Sequence, residues 1–102
     1  MTANPQIANP LRGEAMVAGY KLRPTFTALV AAEEELGSLF ALVERAAEGK
    51  LTLAEMAGLF WHCLDNRDGV LRSDFGQAIM DAGLAAATPA LRMLLGQILR
   101  GQ

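Results

Sequence analysis

The sequence predicts a mainly α fold, a compact bundle of about five short helices preceded by a small N-terminal β-hairpin. Three observations lead to this fold class. Apolar residues recur at three- and four-residue spacing from residue 25 almost to the C-terminus, the pattern of amphipathic helices. Strand-favouring β-branched residues are scarce. The one segment that alternates charged and apolar residues, Lys21-Leu22-Arg23, directly precedes Pro24, which keeps Arg23 out of the helical region.

Length and composition predict a single domain. The chain has 102 residues, of which 52% are hydrophobic, enough to close one modest core. The tripeptide Ala-Asn-Pro occurs twice near the N-terminus, and the two copies end at Pro5 and Pro10. Because termini outside a core rarely order, we expect a flexible leader over 1–9 and one helical domain with its hairpin over 10–102.

The predicted hairpin pairs residues 14–17 with residues 20–23. Ala18 and Gly19 form the turn, where glycine readily takes the positive φ that tight hairpins require. A lone two-stranded hairpin is only marginally stable in water. It must therefore pack on the helices or join another sheet, and a homo-oligomer formed through the hairpin edge is one way to do so.

The first two helices are predicted over residues 25–36 and 38–48. Thr25 is an N-cap candidate, with Pro24 at the first helical position as the alternative, and Gly37 and Gly49 end the two helices. The apolar residues predicted to face the core are Phe26, Leu29, Val30 and Leu36 in the first helix and Leu39, Leu42, Val43 and Ala46 in the second.

The third helix has the strongest start signal in the chain. Thr52 followed by Glu55 three positions later forms a capping box, in which each residue satisfies a backbone N–H of the other. The residues predicted to form its buried stripe are Leu53, Met56, Ala57, Phe60 and Leu64.

The last two helices follow a polar loop over residues 65–69. The fourth is expected to be capped by Ser73 or Asp74 and to end at Gly83. The fifth is expected to open at Thr88, with Pro89 in its first turn, and to end at 101.

Glu33 occupies an unusual position, seven residues after Phe26 and on the same predicted apolar side. A carboxylate in an apolar setting needs a partner, because an unpaired buried charge is very costly. Arg23, just before the helix, is the candidate partner. The alternative is that Glu33 lies at the rim of the stripe and reaches water.

Trp61 follows Phe60 directly, so the two aromatic side chains cannot both enter one core face squarely. Two placements stay open: Trp61 packs in the core and covers the hairpin, or it is exposed as an anchor for a partner protein, a role in which tryptophan is enriched. Together with Arg23, Phe26 and Glu33, it completes the set of candidate partner-binding or structural residues.

The residue inventory predicts neither an enzyme nor a cofactor or metal site. His62 and Cys63 are adjacent and would point about 100° apart on a helix, and no second His or Cys completes a zinc site. We therefore expect packing or surface roles for both. The loop that starts at Asp65 resembles a calcium loop, but its third and twelfth positions hold Arg67 and Gly76 instead of ligands.

The net charge and the hydropathy pattern limit the classes of binding partner and the cell compartment that we expect. A net charge of -2 gives no reason to expect nucleic acid or an anionic membrane surface. Apolar runs are shorter than the ~18 residues that a membrane span needs, and no secretory signal is apparent. Cys63 is the single cysteine, so an internal disulfide is excluded and a cytoplasmic location is expected.

Several segments of the sequence together form a recognisable pattern. They are Asn9-Pro10-Leu11-Arg12-Gly13-Glu14, Leu22-Arg23-Pro24-Thr25-Phe26 with Ala28-Leu29 and Glu33, the helix break at Gly37, Glu48-Gly49-Lys50-Leu51, and Ala82-Gly83-Leu84. In these segments the chain resembles the gene-transfer-agent and prophage tail protein family, some of whose members are labelled tail tube proteins and others tail assembly chaperones. The resemblance covers residues 9–100, and its Leu-Arg-Pro-Thr-Phe core is fairly specific.

The two labels imply different physical designs. A tube subunit closes rings with its neighbours, normally through a sheet-rich, barrel-like architecture, and about ten strand residues are too few for a barrel wall. A chaperone needs a small domain with adaptable adhesive surfaces, which Met and small residues supply. The resemblance therefore implies a non-enzymatic tail assembly chaperone that engages tape-measure or tail tube proteins in the cytoplasm. A structural tail tube component of the particle is the alternative.

Overall fold

The computed structural model describes residues 14–100 and confirms the predicted fold class. Within this range two short antiparallel strands precede five helices. The predicted leader over 1–9 and the predicted end of the last helix at 101 lie outside the described residues. The elements are β1 (Ala15–Val17), β2 (Tyr20–Leu22), α1 (Phe26–Leu36), α2 (Leu39–Ala47), α3 (Leu53–Cys63), α4 (Arg72–Ala82) and α5 (Leu84–Arg100).

Helix α3 is the centre of the fold. It packs against α1 and α4, and it is buried around most of its circumference rather than along one stripe. The predicted stripe is correct for Met56, Phe60 and Leu64 but wrong for Leu53, whose first-turn position leaves it 45% exposed. The buried residues of the helix are Met56, Gly58, Leu59, Phe60 and Cys63.

The start of α3 confirms the predicted capping box. The Thr52 hydroxyl accepts from the Glu55 backbone N–H at 3.1 Å, and a Glu55 carboxylate oxygen accepts from the Thr52 N–H at 3.0 Å. Glu55 also accepts a hydrogen bond from Arg45 of α2. The Thr52 N–H first, and Arg45 second, lower the pKa of Glu55. The Glu55 side chain therefore caps the first turn of α3 and also links it to α2 through Arg45.

The hairpin follows the predicted register and turn. Val17 pairs with Tyr20 across a two-residue turn in which Ala18 (φ 51°) and Gly19 (φ 83°) both have positive φ, as a type I′ turn requires. The outer edge of β2 is already covered, because Leu22 forms a bridge with Leu64. Helix α5 packs against β1. Homo-oligomerisation through the hairpin edge remains a prediction, and it would have to use an edge other than that of β2.

Two helix starts differ from the prediction. Helix α4 begins at Arg72 with Leu71 as its N-cap, and neither Ser73 nor Asp74 caps it. Helix α5 begins at Leu84, four residues before the expected Thr88, so Pro89 lies inside the helix. The early start is possible because Gly83, with φ 94°, ends α4, and the chain bends by 112° between the two helices. A proline in the second turn removes one internal hydrogen bond, which α5 tolerates.

The predicted core face of α1 is only partly correct. Phe26 is 84% exposed and Val30 is 37% exposed, whereas Ala32 is fully buried. Leu29 and Leu36 face the core, as predicted, together with alanines. Alanines on this face allow α1 and α3 to approach closely, and the bulky Phe26 is left on the outside of the first turn. The prediction that Phe26 and Val30 are core residues is therefore wrong.

Candidate functional site

The outward face of α1 forms an exposed apolar surface, which we call the α1 outer surface. Phe26, Val30 and Glu34 follow one another at four-residue spacing, so their side chains lie in one row along the helix. Thr27 and Ala31 lie beside this row. The five residues line a shallow cavity of about 270 Å³. A large aromatic ring is therefore held in solvent beside small neighbours.

A polar cavity of similar size adjoins the α1 outer surface and shares Thr27 and Ala31 with it. Arg23, Arg67 and Asp65 line this polar cavity, which lies beside the N-terminal half of α1. Glu34 lies at the opposite end of the helix. The remaining residues that line the polar cavity are Thr25, Ala28, His62 and Leu64.

The predicted ion pair between Arg23 and Glu33 is wrong. The Arg23 Nε lies 3.9 Å from a carboxylate oxygen of Glu14, and its backbone N–H donates to the Cys63 carbonyl at 2.6 Å. Glu33 is exposed and accepts from the Leu39 backbone N–H at 3.1 Å. The carboxylate therefore satisfies a free N–H at the start of α2, where the helix dipole favours negative charge.

Trp61 lies at the rim of the core, half-buried. Its ring packs against Phe75 with ring centroids 6.1 Å apart, and Phe75 in turn contacts the Tyr20 ring of the hairpin. The guanidinium groups of Arg67 and Arg72 lie 5.7 and 6.0 Å from the Trp61 ring centroid. The packing role of Trp61 is visible in these contacts, and its role as a partner anchor stays a prediction.

A charged cluster connects α1, α3 and α4. Glu35 accepts two hydrogen bonds from Arg72, at 2.8 and 2.5 Å, and its Oε1 lies 2.7 Å from His62 Nε2. The Arg72 hydrogen bonds first, and the His62 contact second, lower the pKa of Glu35 from 4.5 to about 2. The same pairing raises the pKa of Arg72. Sequence reasoning missed this cluster, because His62 and Arg72 lie 27 and 37 residues away from Glu35 along the chain.

The Glu35 cluster predicts a loss of stability in acid. Because the pKa of Glu35 is lower in the folded state, its contribution is present above pH 4.5 and is lost as the pH falls towards 2. The full shift corresponds to ~3.4 kcal/mol, but the side chain is 39% exposed, so screening reduces the expected contribution to about 1 kcal/mol. Urea unfolding of the native chain and of Glu35→Gln at pH 7 and pH 2.5 measures it.

The native chain should lose about 1 kcal/mol more than Glu35→Gln between these two pH values. Glu34→Gln, which changes the neighbouring carboxylate on the outer face of α1, is the matched control and should follow the native chain. Equal acid sensitivity of the native chain and Glu35→Gln would contradict a role for the cluster in stability.

Cys63 and His62 occupy structural positions. The Cys63 thiol is fully buried, and burial raises its pKa to about 12, so the thiolate nucleophile is not formed at neutral pH. His62 contacts Glu35 through one ring nitrogen. Across residues 14–100, no group of three or more His, Cys, Asp or Glu side chains is arranged to hold a metal ion.

A second apolar depression, the α3–α5 groove, lies between the start of α3 and the start of α5. Leu53 and Leu84 form its exposed walls, with 45% and 51% of their surfaces accessible. Its volume is about 160 Å³. Sequence reasoning did not find this groove, because it placed Leu53 in the core and Leu84 in a connecting turn. The lining residues are Leu51, Thr52, Leu53, Met56, Leu84, Thr88 and Leu91.

Among the described helices, no single one is both long enough and apolar enough to cross a membrane. Helices α4 and α5 reach the required length and composition only when taken together, and the chain bends by 112° between them.

Comparison with known proteins identifies a family. The family model described as "Phage tail tube protein, GTA-gp10" matches residues 14–101, which include the hairpin and all five helices described above. No curated protein and no solved structure matches the chain. The family is a structural one whose members interact with other phage tail proteins, as components of a virion-like particle tail. Because the match spans most of the sequence, this chain belongs to the GTA-gp10 family of phage tail tube proteins.

Proposed function

We propose that this protein is a non-enzymatic tail assembly chaperone that binds a tape-measure or tail tube protein in the cytoplasm before the tail is built. The observation that carries this proposal is the α3–α5 groove, a concave apolar depression on the surface of a folded helical domain. Exposed apolar depressions of this kind are typical of protein–protein contact sites. The family match supports a tail protein as the partner.

The dimensions and chemistry of the groove favour a protein side chain as its occupant. Its volume of about 160 Å³ is below the ~300 Å³ at which small-molecule and cofactor pockets begin. Its lining is aliphatic apart from the hydroxyls of Thr52 and Thr88, and the Thr52 hydroxyl already accepts the capping hydrogen bond. The groove therefore fits an aliphatic side chain from a tail-protein segment that would aggregate if it stayed exposed.

A structural tail tube component is the second candidate function. The description of the matching family favours it. The fold does not, because the described residues contain only two strands of three residues each, whereas a tube wall built by strand pairing needs long continuous strands. The two candidates differ in whether the protein remains in the finished particle.

Quantifying the protein in purified particles and in producing cells separates the two functions. A chaperone is expected to be abundant in producing cells and absent from particles, since it leaves its partner when the tail assembles. A tube subunit is expected in many copies per particle. Finding many copies of the protein in each purified particle would overturn the chaperone proposal in favour of the tube function.

Changing the walls of the groove tests the binding surface. Leu53→Ser combined with Leu84→Ser should weaken binding to a co-expressed tape-measure or tail tube protein by at least about tenfold, because each leucine loses apolar area that the partner would bury. Leu71→Ser is the matched control, since Leu71 is 65% exposed but lies outside the groove. Circular dichroism verifies that the variants fold, and unchanged binding by the folded double variant would contradict the assignment.

None of the four residues singled out from the sequence lines the α3–α5 groove. Glu33 caps α2 and Trp61 packs at the rim of the core. Arg23 and Phe26 lie instead beside or on the α1 outer surface. A partner role for these two residues therefore concerns the α1 outer surface and not the groove.

A further inference from the structure

The α1 outer surface has opposite charges at its two ends and apolar residues between them. Arg23 and Arg67 lie at the N-terminal end, and Glu34 lies at the C-terminal end. The centre consists of two larger apolar side chains, Phe26 and Val30, beside the small residues Thr27 and Ala31.

This arrangement is complementary to itself when the helix is reversed. In an antiparallel pair of α1 helices centred between residues 28 and 29, Phe26 of one copy faces Ala31 of the other, and Val30 faces Thr27. Each large side chain then meets a small one, as interdigitated packing requires. The antiparallel orientation also brings the N-terminal end of α1, beside which Arg23 lies, to the end of the partner helix that carries Glu34. Apolar and charged contacts therefore favour the same antiparallel orientation.

We propose that the α1 outer surface binds a second copy of this chain and forms an isologous, antiparallel α1–α1 dimer. In such a dimer the twofold axis repeats every contact, so one Arg23–Glu34 pair implies two. The dimer would cover Phe26, which is otherwise 84% exposed. This inference is independent of the proposed function, because the α3–α5 groove shares no residue with the α1 outer surface.

The neighbouring charges leave the proposed pairs available. Arg23 is half-exposed, and its Nε contact with Glu14 is long, at 3.9 Å. Glu33, the other carboxylate at the C-terminal end of α1, hydrogen-bonds to the Leu39 N–H. Asp65 lines the polar cavity together with Arg23 and Arg67, so its single carboxylate is accompanied by two basic residues.

The size of the surface indicates a weak dimer. Helix α1 has 11 residues and is therefore about 16 Å long, so one face of it buries less than the ~800 Å² per partner of a standard interface. We expect a dissociation constant on the order of 10 µM. Sedimentation velocity at concentrations up to about 500 µM covers this range.

Substituting the exposed phenylalanine tests the apolar part of the interface. The native chain should shift from monomer to dimer as its concentration rises, and Phe26→Ala should weaken the dimer by at least about tenfold. Phe40→Ala is the matched control, because Phe40 is 74% exposed but lies on α2, and it should dimerise as the native chain does. A native chain that stays monomeric at 500 µM (about 50-fold above the expected constant) would overturn the proposal.

A charge exchange tests the antiparallel register. Arg23→Glu and Glu34→Arg should each weaken the dimer about tenfold, because each change places like charges together twice. An equimolar mixture of the two variants should restore association as a heterodimer, since both contact pairs again have opposite charges. The double variant in one chain should restore the homodimer. Loss of association without restoration in either case would overturn this register.

Circular dichroism of Arg23→Glu shows whether the hairpin tolerates the change, since Arg23 lies near Glu14. If that variant does not fold, Glu34→Arg alone still tests the pairing, because it places like charges together at both symmetry-related contacts. Failure of the dimer would leave the groove experiment unaffected, so the two proposals fail separately.

Discussion

Replacing Phe60 by alanine is expected to lower the free energy of unfolding by about 3–5 kcal/mol. Phe60 is fully buried and is among the largest such side chains in α3, the helix on which α1 and α4 pack. Its removal costs both the transfer of the ring and the cavity left behind. Since small domains have a total stability of about 5–15 kcal/mol, this one change removes a large part of it.

Denaturant unfolding measures the effect, at a protein concentration below the dissociation constant of the proposed dimer. Phe26→Ala is the matched control, because it makes the same chemical change at a side chain that is 84% exposed. We expect it to alter the free energy of unfolding by less than about 0.5 kcal/mol. Equal losses for the two variants would show that Phe26 is buried in the monomer and would contradict the described packing of α1.

Replacing Gly58 by valine is expected to cost about 2 kcal/mol. A Cβ at this position would lie 3.1 Å from a Leu36 methyl, 3.3 Å from an Arg72 guanidinium nitrogen and 3.4 Å from a Glu35 carboxylate oxygen. The two methyl groups of valine add bulk beyond this tightly placed Cβ, so we expect the Glu35–Arg72 pair and the contact between α1 and α3 to shift.

Gly76→Val is the matched control for this position. Gly76 lies in the interior of α4, and nothing lies within 4 Å of the position that its Cβ would take. There the change should be neutral or slightly stabilising, because valine forms helix somewhat better than glycine does. Gly58→Val should also reduce the acid-dependent part of the stability that Glu35 supplies. A Gly58→Val chain as stable as Gly76→Val would contradict the close packing of α1 and α3.

Local signals in the sequence determined the type and order of the elements. The Thr52 and Glu55 capping box predicted the start of α3, and Ala18-Gly19 predicted the hairpin turn. These features depend on residues within four positions of one another, where hydrogen bonds and backbone φ are set by the side chains themselves. The family resemblance likewise rested on contiguous residues, and the family match supports it.

The contacts between helix faces and between charged side chains depend on the packing of the helices and were not predictable from the sequence. The sequence predicts that α1 is a helix that carries Phe26, Leu29 and Val30. The spacing of its apolar residues allows two overlapping apolar faces. Packing on α3 selects the face that contains Ala32. The Glu35 cluster and the α3–α5 groove join residues that are 27 or more positions apart. Such contacts depend on how the helices pack rather than on local preference, because a carboxylate or leucine on a helix has no local property that identifies its distant neighbour.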